Sequence, residues 1–311
     1  MEFLTQYGLF LSKSLTIVFA ILFVVGGILS MSRKPKPKLT IESLNKQHTE
    51  IKERMEKEVL GKKSKRKKKD KATKPSLYVI DFSGDIKATQ VEQLREEITA
   101  VLSVVTHHDE VVVRVESPGG VVNGYGLAAS QLQRIRDRQI PLTVCIDKIA
   151  ASGGYLMACV ANQIIAAPFA ILGSIGVIAQ MPNFHRWLKK NDIDVELLTA
   201  GEYKRTLTVF GKNTDKGRQK FQEDLEDIHH VFRNYILMNR QAVNIDEVAT
   251  GEHWLANDAL KLNLVDKLQT SDEYICEKML SMNAYQITVA TKQNAISKLL
   301  KPAMKLLHPW A

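Results

Sequence analysis

The chain has 311 residues, of which 45% are hydrophobic and 25% are charged, values that are ordinary for a globular protein with one large domain or two smaller ones. The net charge of +9 would suggest a nucleic-acid partner if it were spread over the surface. Residues 33–74, however, hold 17 lysines and arginines against 6 acidic residues, which gives this segment +11 and the rest of the chain −2. The body of the protein is therefore nearly neutral, and we expect no nucleic-acid partner.

A long apolar run opens the chain. Residues 8–31 contain an apolar core from Leu15 to Leu29 and one charged residue, Lys13, which lies close enough to one end to reach the membrane interface. A signal peptide would carry its charges before the apolar core and a cleavage site after it, whereas here Arg33 and Lys34 follow the core directly. The run predicts an uncleaved transmembrane anchor at 8–31.

A basic linker is predicted at 32–75. Apolar side chains recur at helical spacing from Ile41 to Val59, which predicts a helix over 40–60 and allows a short coiled coil. The run KKSKRKKKDK follows at 62–71. Beside a membrane anchor, a solvated linker or a contact with anionic lipid is favoured over a nucleic-acid site.

Strands and helices alternate beyond the linker, which is typical of an α/β fold. Helical spacing of apolar residues predicts helices at 88–105, after residue 120 and at 214–240. Apolar runs predict strands at 77–84, 111–117, 142–150, 162–168, 175–180 and 195–201. The basic, amphipathic segment 297–310 either lies on a membrane surface or packs on a neighbouring subunit.

Several kinds of site are excluded by missing motifs. No HExxH or CxxC is present, and no glycine-rich nucleotide motif follows a strand, so we expect no metal and no cofactor. The three cysteines are an odd number, and Cys145 and Cys159 lie in apolar runs, which favours free buried thiols over a disulfide framework. The adjacent histidine pairs, 107–108 and 229–230, point in diverging directions and are interpreted as surface residues.

The segment DKIAASGGYLMACVA, at 147–161, places Ser152 between an apolar strand and an apolar helix. At a helix N-terminus the N–H of Gly153 would point to an oxygen that becomes negative during acyl transfer. The SPGG turn at 117–120 follows another strand and offers a second donor, Gly119 or Gly120. The alternative is that Ser152 is only a helix N-cap and SPGG only a turn. The residues alone leave both interpretations open.

A serine nucleophile needs a base. Lysine can take the proton if burial lowers its pKa towards neutrality. Lys204 follows an apolar run and opens a largely uncharged stretch, which makes it a candidate among the 43 lysines and arginines of the chain. If Lys204 is the base, activity should rise with pH as this amine loses its proton.

Four motifs in this order resemble the signal peptide peptidase family of membrane serine proteases: SPGG (117–120), ASGGY (151–155), GSIGV (173–177) and GEYK (201–204). The anchor, the charged linker and the chain length resemble its SohB branch. The resemblance covers about 77–270 and includes a closing segment, 250–268. Asn263 stands where the family often has glycine, and because asparagine tolerates positive φ, the helix end there should survive.

The resemblance implies a role for five residues. Ser152 matches the nucleophile and Lys204 the general base, while Ser174 matches the hydroxyl that holds the lysine amine in place. Gly120 and the N–H of Gly153 match the oxyanion hole.

The resemblance also implies a fold and a partner set. The fold would be a ClpP/crotonase-like spiral of ββα units over 76–270, followed by an amphipathic C-terminal extension at 271–311. The activity would be hydrolysis of peptide bonds in signal peptides or in misfolded membrane and exported proteins, with no metal or nucleotide. A homo-oligomer is implied, in which serine and lysine meet across a subunit boundary or within one chain.

Two other functions remain open at this point. A crotonase-like acyl-CoA enzyme would rely on two backbone donors and acidic residues and would not need Ser152 or Lys204, although a membrane anchor argues against it because CoA substrates are soluble. A non-catalytic membrane scaffold would need neither residue. For location, the resemblance implies the periplasmic side of a bacterial inner membrane, whereas the basic flank of the anchor favours a cytoplasmic catalytic domain.

Overall fold

The computed structural model describes residues 2–32, 38–61 and 74–290, and within the first range the side chains of 5–21. The chain divides into two compact units, residues 1–38 with 290–311 and residues 39–289. The elements are, in chain order, α1 (Glu2–Ser32), β1 (Lys38–Ser43), α2 (Leu44–Leu60), β2 (Ser76–Ser83), α3 (Val91–Leu102), β3 (Glu110–Glu116), α4 (Val122–Asp137), β4 (Leu142–Ile146), β5 (Ile149–Ala151), α5 (Gly153–Ala158), β6 (Gln163–Ala166), β7 (Ile171–Gly173), α6 (His185–Lys190), α7 (Asp215–Asn239), α8 (Ile245–Val248), β8 (His253–Leu255), α9 (Ala256–Lys261), β9 (Lys267–Leu268), α10 (Ser271–Met279) and β10 (Asn283–Ala290).

The predicted anchor, 8–31, falls within helix α1. From residue 22 onward its side chains lie outside those that the structure describes. Among the described residues, no helix has both the length and the apolar character needed to cross a membrane. The basic run 62–71 and the amphipathic segment 297–310 also lie outside the described residues.

The main sheet of the second unit has seven strands in the order β1-β10-β2-β3-β4-β6-β9. Each pair from β10 to β9 is parallel. A second sheet has the order β5-β7-β8, in which β5 and β7 are parallel and β7 and β8 antiparallel. From β4 to β7 the chain alternates between the two sheets, with α5 between β5 and β6. The predicted α/β class is confirmed.

Two apolar cores cover the two faces of the main sheet, which explains why β3 and β4 read as nearly continuous apolar runs. Alternate residues of β2 divide between them, because successive strand side chains point to opposite faces. Ile80 and Phe82 belong to the larger core, with α3 and α4, whereas Leu77 and Val79 belong to the smaller core, beneath α10.

The sheet extends beyond the predicted domain limits, 76–270, at both ends. β10, inside the predicted C-terminal extension, pairs with β2 and places Ala284 opposite Leu77. Asn45, inside the predicted linker, accepts a hydrogen bond from the Ala284 N–H at 2.6 Å and donates to the Met282 carbonyl at 3.1 Å. Segments assigned to the linker and the extension therefore complete the sheet, because β2 needs a partner on its open edge.

Two predicted strands, 175–180 and 195–201, are absent from the described structure. Ile178 is 86% exposed and Leu198 is 91% exposed, so their apolar side chains find no core here. Apolar composition alone therefore misled the assignment. The long helix predicted at 214–240 is confirmed by α7, whose N-terminus is capped by the Thr214 hydroxyl, which accepts from the Gly217 N–H at 3.1 Å.

Asn263 confirms the expectation for the helix end. It has a φ of 58° and lies just after α9, where the Leu264 N–H donates to the Ala259 carbonyl at 2.9 Å. Asparagine accepts this left-handed conformation more readily than most residues. The departure from the family pattern at this position therefore leaves the local structure intact.

Candidate active site

Ser152 occupies a strained turn between β5 and α5. Its φ of 51° and ψ of −118° lie in a region that side-chain-bearing residues rarely adopt, at a typical cost of about 1–3 kcal/mol. Two backbone hydrogen bonds hold it there. The Ser152 N–H donates to the Gly173 carbonyl at 2.7 Å, and the Ser152 carbonyl accepts from the Leu156 N–H at 2.9 Å. Strain that is maintained in this way is typical of functional sites.

The side chain of Ser152 does not cap the helix. Its hydroxyl makes no capping hydrogen bond to α5, and the residue is partly buried. The interpretation of Ser152 as a plain N-cap is therefore wrong. The hydroxyl is free for chemistry, and it stands beside the N-terminal amides of α5.

The loop at 117–120 lies directly against this turn. The Ala151 N–H donates to the Ser117 carbonyl at 3.0 Å. Gly119 has a φ of 89°, and a side-chain carbon there would lie 2.7 Å from the Gly153 nitrogen and 2.7 Å from Cβ of Ser152. Only glycine permits this approach. The two glycine-bearing loops that the sequence placed after separate strands therefore meet.

The amide of Gly119 is already used, because it donates to the Ser117 hydroxyl at 3.1 Å. The amides of Gly120 and Gly153 donate to no partner among the described residues. Of the two candidates in the SPGG turn, Gly120 is therefore the free donor. Two unpaired N–H groups beside a serine hydroxyl match the arrangement that stabilises the oxyanion of acyl transfer.

Ser174 lies next to Ser152 because of strand register. β5 and β7 are parallel with Ala151 opposite Gly173, so Ser152 and Ser174 follow at the same end of adjacent strands. Neighbouring strands lie about 4.8 Å apart. Ser174 also has positive φ, 52°, and is partly buried. Its predicted proximity to the nucleophile is therefore built into the small sheet.

A cavity of about 370 Å³ opens beside Ser152 and is lined in part by Gly120, Ser152 and Gly153. Most of its wall is apolar and comes from α4, α5, α7 and the segment after β7. The apolar side chains include Val122, Leu156, Ile178, Ile228, Val231 and Phe232. An apolar pocket beside a nucleophile would hold an apolar substrate group.

Lys204 is not part of this cluster. It is exposed in a turn where its N–H donates to the Gly201 carbonyl at 3.2 Å, and its amine has no partner among the described residues. The turn is held near the start of α7, where Lys216 bonds Glu202 at 2.5 Å and lies 5.9 Å from the ring centre of Tyr203. The structure therefore brings four of the predicted site residues together and, among the described residues, records no contact between them and Lys204.

Sequence reasoning missed three residues around this site. Ser117 and Tyr125 form a buried hydrogen-bonded pair behind the 117–120 loop. His229 was assigned to the surface, but it is partly buried, and its Nε2 lies 3.2 Å from the Ile175 carbonyl, on the loop that follows Ser174. The serine of the SPGG motif was a sequence signal for the Ser117–Tyr125 pair. No local pattern could predict the contact of His229, because its partner, Ile175, lies 54 residues earlier in the chain.

The cysteines are free, as predicted: Cys145 and Cys159 are buried and Cys276 is exposed. Burial raises the pKa of Cys145 to about 12 and raises that of Cys159 as well. Both buried thiols therefore stay protonated at neutral pH and are poor nucleophiles.

Comparisons with known proteins bear on the whole chain. Residues 2–132 match the family model described as peptidase family S49 N-terminal, and residues 134–284 match peptidase family S49. A probable protease SohB of Haemophilus influenzae is 46% identical, covering 96% of this chain and 92% of its own length. A putative protease SohB of Buchnera aphidicola subsp. Baizongia pistaciae is 44% identical, with coverages of 99% and 97%.

Among solved structures, a 1510-N membrane-bound stomatin-specific protease in complex with a substrate peptide is 16% identical with a TM-score of 0.46, covering 74% of this chain and all of that one. The family assignment rests on the sequence matches, which span nearly the full chain. On this basis the chain belongs to peptidase family S49, as a SohB-type member of these serine proteases.

Proposed function

We propose that this protein is an endopeptidase in which Ser152 attacks the peptide carbonyl and forms an acyl-enzyme. The amides of Gly120 and Gly153 stabilise the oxyanion, and water then hydrolyses the ester. The observation that carries the proposal is the position of Ser152: it is held in a strained turn, with its hydroxyl outside the helix cap, between two unpaired amides at an apolar cavity.

We propose Lys204 as the general base, supplied by a neighbouring copy of the chain. It accepts the Ser152 proton, returns it to the leaving amine and then accepts a proton from water. Ser174, next to Ser152, orients the amine. An amine in water keeps its proton at neutral pH, so a lysine base must be buried. In one chain Lys204 is exposed, and a second copy packed against its turn would bury it.

The cavity supports apolar residues next to the cleaved bond. The proposed substrates are therefore signal peptides and misfolded membrane or exported proteins, whose apolar segments are accessible when unfolded. No metal or cofactor enters the proposed steps, since a serine, a lysine and backbone amides complete the proton transfers.

Two finer proposals concern architecture and location. A ClpP/crotonase-like spiral is supported by the alternation of strands between the two sheets from β4 to β7. A single-pass anchor at 8–31 in a bacterial inner membrane, with the catalytic domain on the periplasmic side, is supported by the apolar run and by the family resemblance. Protease digestion of intact spheroplasts tests the side: loss of the 39–289 unit supports the periplasm, and its full protection supports the cytoplasm.

The central test uses detergent-solubilised protein and two substrates, an unfolded protein and short apolar peptides. Wild type should cleave both, and Ser152→Ala and Lys204→Ala should reduce turnover by about 10⁴-fold or more. Arg205→Ala, one residue from the lysine, is a matched control for the charge of the turn and should retain activity. Cleavage by Ser152→Ala at the wild-type rate, or no cleavage by wild type, would show that the proposal is wrong.

A further inference from the structure

Tyr125, on α4, is a fully buried residue whose hydroxyl lies behind the loop that carries the free Gly120 amide. The hydroxyl is 2.5 Å from the Ser117 hydroxyl and 2.8 Å from the Asp85 carbonyl. Burial raises the pKa of Tyr125, so the phenol keeps its proton. Tyr125 also lines the cavity beside Ser152, but none of these groups has a role in the catalytic steps proposed above.

The protons of this group can be assigned. A carbonyl only accepts, so the Tyr125 proton points to Asp85. The Ser117 hydroxyl must then donate to the Tyr125 oxygen, and its own oxygen accepts from the Gly119 N–H at 3.1 Å. The result is a one-way chain from Gly119 through Ser117 and Tyr125 to Asp85. Each hydroxyl in it both donates and accepts, an arrangement in which the bonds strengthen one another.

The same tyrosine also contacts the other donor. A side-chain carbon at Gly153 would lie 2.3 Å from Cγ of Tyr125, so the Gly153 backbone rests on the tyrosine ring. The ring also makes an edge contact with Phe82, with centroids 6.3 Å apart. The hydroxyl of Tyr125 thus helps to fix the position of the 117–120 loop, and its ring helps to fix the position of the first residue of α5.

We propose that Tyr125 is a positioning residue of the oxyanion hole, which fixes the spacing between the Gly120 and Gly153 amides. This inference rests on the proposed function. Tyr125 engages the Gly119 N–H through Ser117 and holds Gly153 against its ring, which leaves the Gly120 and Gly153 amides as the unpaired donors at the cavity. Oxyanion stabilisation depends on donors that are already in place before the charge forms.

The test is Tyr125→Phe, which keeps the ring and removes only the hydroxyl. We expect kcat on an apolar peptide to fall about tenfold, less than the loss from deleting a donor outright, while KM changes less than about twofold. A peptide aldehyde, which forms an oxyanion on Ser152, should lose affinity by the same factor as kcat/KM. A role limited to stability would leave the kcat to KM ratio unmoved once the variant is folded.

The matched control is Tyr155→Phe. Tyr155, on α5, is also fully buried, and its hydroxyl donates to the Leu264 carbonyl at 3.0 Å, a group that belongs to neither donor loop. It should lose stability to a similar extent while keeping kcat. Wild-type kcat in Tyr125→Phe, an equal kcat loss in Tyr155→Phe, or a loss in kcat without loss of aldehyde affinity each overturns the inference.

Two further outcomes are distinguishable. If Tyr125→Phe does not fold, Ser117→Ala breaks the same chain at its middle member. An approximately tenfold loss of kcat there supports the inference, and a wild-type kcat overturns it. If wild type and Ser152→Ala hydrolyse the peptide equally, the proposed function fails and the inference falls with it. A Ser152-dependent wild type with an unimpaired Tyr125→Phe overturns the inference alone.

Discussion

At the residue scale, the site depends on backbone conformations that are costly for most amino acids. Ser152 keeps a φ of 51° that glycine would adopt without strain. A serine therefore occupies a position better suited to glycine, and its hydroxyl makes no capping hydrogen bond that would offset the strain. This combination is expected where stability is sacrificed for reactivity.

Replacing the serine should separate strain from chemistry. Ser152→Gly should abolish hydrolysis and raise the free energy of unfolding by about 1 kcal/mol, because glycine accepts positive φ. Ser152→Ala should abolish hydrolysis equally without that gain, since alanine keeps the strain. Urea denaturation of the two variants measures the difference. Equal stabilities for the glycine and alanine variants would contradict the assignment of strain.

Gly119 offers a second prediction at this scale. Gly119→Ala places a carbon 2.7 Å from the Gly153 nitrogen, so the two loops must separate, and we expect at least a 100-fold loss in kcat. Gly61→Ala is the matched control, because Gly61 also has positive φ, 60°, but the described residues place no atom within 4 Å of the added carbon. It should cost about 1 kcal/mol in stability and leave kcat unchanged. A Gly119→Ala enzyme with normal turnover would show that this contact does not matter.

At the scale of elements, two side chains of α3 form hydrogen bonds with the backbone near the end of β10. Glu97 accepts from the Val289 N–H at 2.9 Å, and Gln93 donates to the Val289 carbonyl at 2.8 Å. The other Glu97 oxygen is buried without a hydrogen-bond partner among the described residues. Burial raises the pKa of Glu97 to about 7, and the charge of Asp81 adds to this rise.

The stability of this contact should depend on pH. In the unfolded chain the carboxyl loses its proton near its usual pKa of 4.5, whereas in the fold it keeps the proton until about pH 7. The folded state therefore binds the extra proton between these values, and the free energy of unfolding falls as pH rises through this window. The free energy of unfolding of Glu97→Gln, relative to that of wild type, should rise by up to about 3 kcal/mol as pH increases from 4.5 to 8. This difference should level off above pH 7, where the folded wild type has also lost the proton. Denaturation curves of both proteins across this range measure it; a constant difference would contradict the raised pKa.

Elements also show what the sequence could and could not predict. β3 was predictable because parallel strands buried on both faces need continuous apolar runs. The single strand predicted at 142–150 is divided between β4 and β5, which belong to different sheets. The segments 175–180 and 195–201 are also apolar, but they form no strands: Ile175 joins the larger core, whereas Ile178 and Leu198 stay exposed. The adjacency of Ser152 and Ser174 depends on pairing between β5 and β7, which local patterns do not encode. The order of the motifs in the sequence suggested that Ser152 and Ser174 belong to one site. The register of β5 and β7 is the physical reason that they lie side by side.

At the scale of the whole molecule, the segment between β7 and α7 leaves several of its large apolar side chains exposed. Trp187 is 62% exposed, Leu198 is 91% exposed and Phe210 is 52% exposed. Exposed apolar surface of this extent, on the segment that also carries Lys204, is typical of a surface that binds another protein. A second copy of the chain is the occupant proposed above, because within one copy Lys204 is exposed and the described structure records no contact between it and Ser152.

Mixing two inactive variants tests whether serine and lysine come from different copies. Ser152→Ala and Lys204→Ala each lack one member, so a site formed within one chain stays inactive in any mixture. If the site forms between copies, co-assembly pairs an intact Ser152 with an intact Lys204 and should restore about a quarter of wild-type turnover under random mixing. The control mixes Ser152→Ala with Ser152→Gly, which share the same lesion and should stay inactive. Restored hydrolysis after dissociation and reassembly places the base on the neighbouring chain. If cross-linking shows mixed oligomers that do not cleave, the lysine must instead reach Ser152 through a rearrangement of its own chain.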